Sequence, residues 1–216
     1  MVVDRPEDHA VRAQAPGRPE RRVRADAQRS LDALILAAKE VFATSGVDAP
    51  VREIADKAGV GLGSLYRHFP QRADLIAAVF RREIDACADI APVLAESYAP
   101  LDALAHWMQR YTAFVGTKRG LAQALHSGDP AFDNLPSYFD RRLRPALRAL
   151  LDAAVTVGEV RADVDADELL GAVTSLCMSA HNGGPGRAER MVALLVDGLR
   201  YGASRSAKAP AWSAIG

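Results

Sequence analysis

From Val51 the chain reads Val51-Arg52-Glu53-Ile54-Ala55-Asp56-Lys57-Ala58-Gly59-Val60-Gly61-Leu62-Gly63-Ser64-Leu65-Tyr66-Arg67-His68-Phe69-Pro70. Val51, Ile54, Ala55 and Ala58 recur at the period of one helix face. Pro50 ahead of them suits a first helical position, where its missing N–H would find no partner. Gly59 supplies the positive φ that a tight turn needs. A further short helix follows over 62–69, stopped by Pro70. Ile54, Ala55, Val60, Leu65 and Phe69 can meet in a small core, with Ala55 permitting close helix crossing. The side chains left over, Ser64, Tyr66, Arg67 and His68, are polar and of short to medium reach. Gly61 and Gly63 leave the start of that helix nearly bare, so its backbone can press close to a groove floor. Two short helices joined by a glycine turn make a helix-turn-helix.

Upstream, a helix over 28–44 carries Leu31, Leu34, Ile35, Ala38, Val41 and Phe42 as one apolar stripe, ended by Ser45-Gly46. Residues 1–25 are rich in Arg, Pro, Asp and Glu, with Pro6, Pro16, Gly17 and Pro19 interrupting regular structure, and read as a flexible basic arm. Arg18, Arg21, Arg22, Arg24 and Arg29 outnumber Glu20 and Asp26 there, a local excess that can meet phosphate if it shares a face. Downstream, a helix from Arg72 runs past Ile84 to about residue 96, with Pro92 as a kink or break. Helices are then expected over 100–115, 119–126, 138–157, 167–180 and 187–201, separated by loops at 127–136 and 181–186. Asp165 and Glu168 form a capping box at the start of the fourth of these. The Ala/Ser-rich stretch 203–216 reads as a disordered tail. The organisation is therefore all-α: arm 1–25, head 26–72, larger helical domain 73–202, tail 203–216.

Across 216 residues, 27 basic side chains balance 27 acidic ones, so net charge lends no support to nucleic-acid binding. Hydrophobic residues at 49% supply enough apolar surface to exclude disorder over the whole length. Apolar runs such as 191–196 fall far short of the ~20 residues that a membrane span requires. The start, with Asp4, Arg5 and Glu7, lacks the apolar core of a secretory signal. Cys87 and Cys177 lie apart in helical patterns, which argues against a disulfide framework and for the cytoplasm.

Sites for catalysis or cofactors are not visible. Gly59-x-Gly61-x-Gly63 follows a helix rather than a strand, unlike a nucleotide loop. His106, His126 and His181 are scattered, with no paired metal-ligand spacing, and no GxSxG elbow occurs. No catalytic residue, metal or cofactor is expected. Trp107, Met108, Tyr111 and Phe114 share a helix and serve either as core or as a pocket lining. Leu170, Val173 and Cys177, with Met191, Leu195 and Leu199 on the next helix, are apolar at bundle spacing. They either join two chains into a four-helix interface or face the chain's own core.

The helix-turn-helix, with Leu34-Ile35-Leu36-Ala37-Ala38 and Val41-Phe42-Ala43 before it and Arg72-Ala73-Asp74-Leu75 after it, resembles the TetR family of bacterial transcriptional regulators over about residues 28–80. The wording Asp48-Ala49-Pro50-Val51-Arg52-Glu53-Ile54-Ala55 and the later Thr117-Lys118-Arg119-Gly120 resemble an actinobacterial subgroup. The resemblance implies a DNA-binding head and a C-terminal domain that dimerises and takes a small molecule. The expected protein is then a homodimeric repressor, not an enzyme, released from a palindromic double-stranded operator by an effector. By matching position, Arg52 reads a base or holds the backbone, and Leu62, Gly63 and Arg67 meet base edges. Ser64, Tyr66 and His68 hold phosphates, and Arg72 is the basic residue opening the fourth helix. Two departures stand out: Pro50 replaces a common threonine, and Leu62 offers only apolar contact, as to a thymine methyl. The family's ligand domain also favours Trp107, Met108, Tyr111 and Phe114 as cavity lining, with Phe132 and Met178 as further walls. The competing readings are an all-helical enzyme or carrier, and an adaptor recruiting a partner through its terminal helices. The outward set on the second short helix, with Arg72, favours DNA.

Overall fold

The computed structural model describes residues 18–125, 127–179 and 186–200, and among these eight α-helices and one 3-10 turn account for the regular structure. They are α1 (Arg18–Ser45), α2 (Val51–Ala58), α3 (Leu62–His68), α4 (Arg72–Ser97), α5 (Pro100–Leu125), the 3-10 turn Pro130–Phe132, α6 (Leu135–Thr156), α7 (Ala166–Ser179) and α8 (Arg187–Arg200). The arm up to Gly17, His126, most of the expected loop at 181–186 and the tail lie outside the described residues. No described helix is long and apolar enough to cross a membrane.

Three helices run longer than their local signals indicate. α1 begins at Arg18 rather than near residue 28, because Pro19 falls in its first turn, where proline is tolerated. α4 continues through Pro92 to Ser97 instead of breaking. Pro92 sits on an exposed face while Cys87, Ala88 and Ala91 are buried, and that packing outweighs the ~3 kcal/mol cost of an internal proline. α5 joins two expected pieces across Gly116, since a helical glycine costs only ~1 kcal/mol. Pro50 ends up just outside α2, extended at φ −58° and ψ 132°. At α7 the expected cap is present: Asp165 accepts from the N–H groups of Asp167 (2.7 Å) and Glu168 (3.2 Å).

The head packs α1 across α2 and α3 over Leu34, Val41, Phe42, Ile54, Ala55, Leu65 and Phe69. In the larger domain α4, α5 and α6 form the central layer, with α7 and α8 against α5. Ion pairs tie head to body: Lys39 of α1 meets the buried Glu83 of α4 at 2.7 Å, and Asp32 meets Arg82 at 3.7 Å. Across α4 and α6, Asp85 accepts from the Tyr138 hydroxyl (2.7 Å) and from Arg142 Nε (2.8 Å), while Arg142 also reaches Asp89.

The apolar stripes of the last two helices serve the protomer itself. Leu170, Val173, Cys177 and Leu199 are buried within one chain, and Met191 and Leu195 are half-buried. Burial inside the protomer leaves the first four little surface to offer a second chain. The outward side carries Gly171, Ser175 and Met178 on α7, and Ala193, Leu194 and Gly198 on α8, with Leu194 72% exposed.

Candidate nucleic-acid interface and internal cavity

The turn between α2 and α3 closes by backbone alone. Gly59 adopts φ 67° and ψ 29°, its N–H reaches the Asp56 carbonyl (3.1 Å), and the Val60 N–H reaches Ala55 (3.0 Å). This doubly bonded helix end requires the left-handed conformation that glycine adopts freely. α3 then starts at once, with Gly61 accepting from the N–H groups of Ser64 and Leu65. Leu65 and Phe69 plug α3 into the head core, and Leu62 is half-buried beside them. That fixes which side faces out: Gly63, Tyr66 (51% exposed) and Arg67, with Ser64 and His68 at the margins. Arg52 is exposed on the neighbouring α2. Neither Arg52 nor Arg67 has a hydrogen-bond or ion-pair partner among the described residues, whereas Lys57 is held by Glu40 at 2.9 Å. A Cβ built at Gly63 would meet nothing within 4 Å, and its φ is not positive. The fold itself therefore does not require glycine there.

Arg72 has structural work beside the phosphate contact that the family resemblance implies for it. Its guanidinium donates to the carbonyls of Val47 and Ala49 (2.8 Å to Ala49), fastening the α1–α2 loop to the start of α4. Arg72→Ala strands two carbonyls in a half-buried place and should cost about 2 kcal/mol. Thermal unfolding is expected to fall by roughly 4–8 °C. An unchanged midpoint with a flatter salt dependence of DNA binding would make Arg72 a phosphate contact and not a fastener.

The aromatic set of α5 is packed solid. Trp107 is fully buried, stacks on Tyr111 at 5.5 Å, and donates its indole N–H to the Cys87 carbonyl (2.9 Å). Thr174 gives its proton to the Leu170 carbonyl, so the Tyr111 hydroxyl donates to Thr174 Oγ1 at 2.9 Å. Burial pushes the Tyr111 hydroxyl and the Cys87 thiol each up to about 12, leaving Cys87 an inert core thiol. Met178, expected as a cavity wall, is instead 51% exposed on the outer face of α7.

A cavity of about 300 Å³ opens where α6 begins, lined by Phe80, Leu125, Phe132, Leu135, Phe139 and Asp140 among others. Phe132 is the expected wall residue that lines it; Trp107, Met108 and Tyr111 lie in the core instead, and Phe114 backs Phe80 at 5.4 Å. The rest of the lining was legible only as the Gly128–Pro130–Pro136 interruption between helices, beside which the cavity lies. No cluster of three or more His, Cys, Asp or Glu that could hold a metal occurs among the described residues.

A glycine-turned pair of short helices, braced by a longer one and presenting unpaired cations outward, defines a helix-turn-helix DNA-binding protein with a helical C-terminal domain. Comparison gives the family. Residues 34–79 match the family model "Bacterial regulatory proteins, tetR family", and residues 99–201 match "Transcriptional regulator SbtR-like, C-terminal domain". The TetR transcriptional regulator SCO0520 from Streptomyces coelicolor superposes with a TM-score of 0.67 at 35% identity, over 78% of this chain and 97% of that one. The chain belongs to the TetR family: it is a DNA-binding transcriptional regulator and not an enzyme. Two curated relatives match over shorter stretches. The HTH-type transcriptional activator FasR of Mycolicibacterium smegmatis is 45% identical over 53 residues, 24% of either chain. The HTH-type transcriptional repressor BepR of Brucella suis is 38% identical over 63 residues, 29% of this chain and 30% of that protein. The matches span about a quarter to a third of those relatives' lengths.

Proposed function

We propose that the protein is a homodimeric repressor that holds a near-palindromic operator and releases it when a small molecule enters the C-terminal cavity. The observation that carries DNA recognition is the pair of exposed, unpartnered arginines, Arg52 and Arg67, beside a recognition helix whose Gly63 leaves open space. Arginine in that position forks onto the two acceptors of guanine in the major groove. Tyr66, Ser64 and His68 flank Arg67 and serve the phosphates, while the half-buried Leu62 offers what remains exposed of its side chain to a thymine methyl. The test is duplex binding to DNA flanking the protein's own gene over a range of salt. Affinity should fall steeply as salt rises, and salt-independent or absent binding would defeat the reading.

One recognition helix spans few base pairs, so useful affinity needs two, about one DNA turn apart. The face that supports pairing is the outward one of α7 and α8, where Gly171, Ala193 and Gly198 let helices approach closely and Met178 and Leu194 supply apolar cover. Leu194→Arg, exposed in the protomer, should leave the fold intact and give a monomer by light scattering, with operator affinity lost. A dimer that survives this change would place the interface elsewhere.

Release follows from α4, which runs unbroken from Arg72 at the head into the larger domain. Phe80, about two helical turns along it, lines the cavity. An occupant that moves Phe80 moves the head with it. Its power is limited to its preference for the DNA-free arrangement.

A further inference from the structure

Three phenylalanine rings, Phe80, Phe132 and Phe139, face the cavity together with one carboxylate, Asp140. Asp140 is the sole charged group among the described lining residues. Among the described residues the cation nearest to it, Arg144, stands 3.8 Å away and is already engaged by Asp167 at 2.6 Å. The carboxylate is therefore only loosely neutralised by its own protein. Aromatic faces carry negative potential and attract cations, while apolar walls reward a ring system. A volume of about 300 Å³ lies at the lower end of sites that hold small organic ligands.

We propose that this cavity takes a compact aromatic or alicyclic cation: a one- or two-ring body between the phenylalanines, with a single ammonium-type charge directed at Asp140. The inference rests on the effector reading above but concerns the ligand's chemistry. An anion would meet a carboxylate with no free partner charge in the described wall. A neutral ring would gain the burial without the charge.

The test is calorimetric titration of the full-length protein with three probes of equal size: naphthylmethylammonium, naphthylmethanol and naphthoate. The ammonium should bind about five-fold more tightly than the alcohol, the scale of a partly exposed cation–carboxylate and cation–π contact, and naphthoate should bind most weakly. Asp140→Asn, a change at an exposed position, should erase the advantage of the ammonium and leave the alcohol within two-fold of its original affinity. Phe139→Trp, which fills the space, should weaken all three. Equal affinities, a preference for naphthoate, no measurable binding, or an order unchanged by Asp140→Asn would overturn the proposal. A gel shift with operator duplex separates it from the regulatory reading. An Asp140-dependent cation that binds without releasing DNA supports the ligand class and defeats effector release instead.

Discussion

Arg67→Ala is expected to weaken operator binding by roughly 5- to 150-fold, the range for losing one bidentate arginine–guanine contact of about 1–3 kcal/mol. The thermal midpoint should stay within a degree, because the exposed Arg67 makes no side-chain hydrogen bond or ion pair among the described residues. Discrimination should relax at one base position, with other sequences less affected. Tyr66→Phe is a milder companion that removes only a hydroxyl and should lower all sequences alike. Gly63→Ala probes the same surface from the opposite direction. With open space around its Cβ and ordinary φ, the alanine should stabilise α3 by up to about 1 kcal/mol, yet it should cut operator affinity by holding the helix off the groove. If both Arg67→Ala and Gly63→Ala left affinity untouched, α3 would not be the recognition helix.

Trp107→Ala should be the most damaging single change to stability, costing about 3–5 kcal/mol. It empties a fully buried site, unstacks Tyr111 and strands the Cys87 carbonyl. For a chain of this size the midpoint is expected to fall by roughly 6–20 °C. Ligand binding in the surviving folded fraction should be little changed, since Trp107 does not line the cavity. A normal midpoint together with abolished ligand binding would return Trp107 to the pocket. The contrast with Phe132 is instructive: that ring borders empty space, so truncating it enlarges a void instead of opening one.

The helix-turn-helix was legible because its determinants are local. A left-handed glycine, a proline stop and a short apolar period each act within a few residues, and Gly59 and Pro70 sit where those rules put them. The body was legible in its helical period but not in its breaks. Pro92 and Gly116 carry local costs of a few kcal/mol or less, and burial of Cys87, Ala88, Ala91, Phe114 and Val115 outweighs them. Which residues of α7 and α8 point away from the protomer was hidden for a related reason. Periodicity reveals an apolar stripe but not what covers it, and the strongest stripe, through Val173 and Cys177, is satisfied within the protomer. The cavity was least visible, because a void is a property of how α4, α5 and α6 fail to fill a corner, and no single residue encodes it.

The way α3 is anchored bears on how such a regulator changes its target over generations. Within α3, Leu65 is the residue deeply buried in the head, whereas Gly63, Tyr66 and Arg67 are exposed. On the proposed reading, stability and operator choice are therefore written largely on different residues. A duplicated copy of this chain can accumulate substitutions at the outward positions, and so acquire a new operator, without first passing through a poorly folded intermediate.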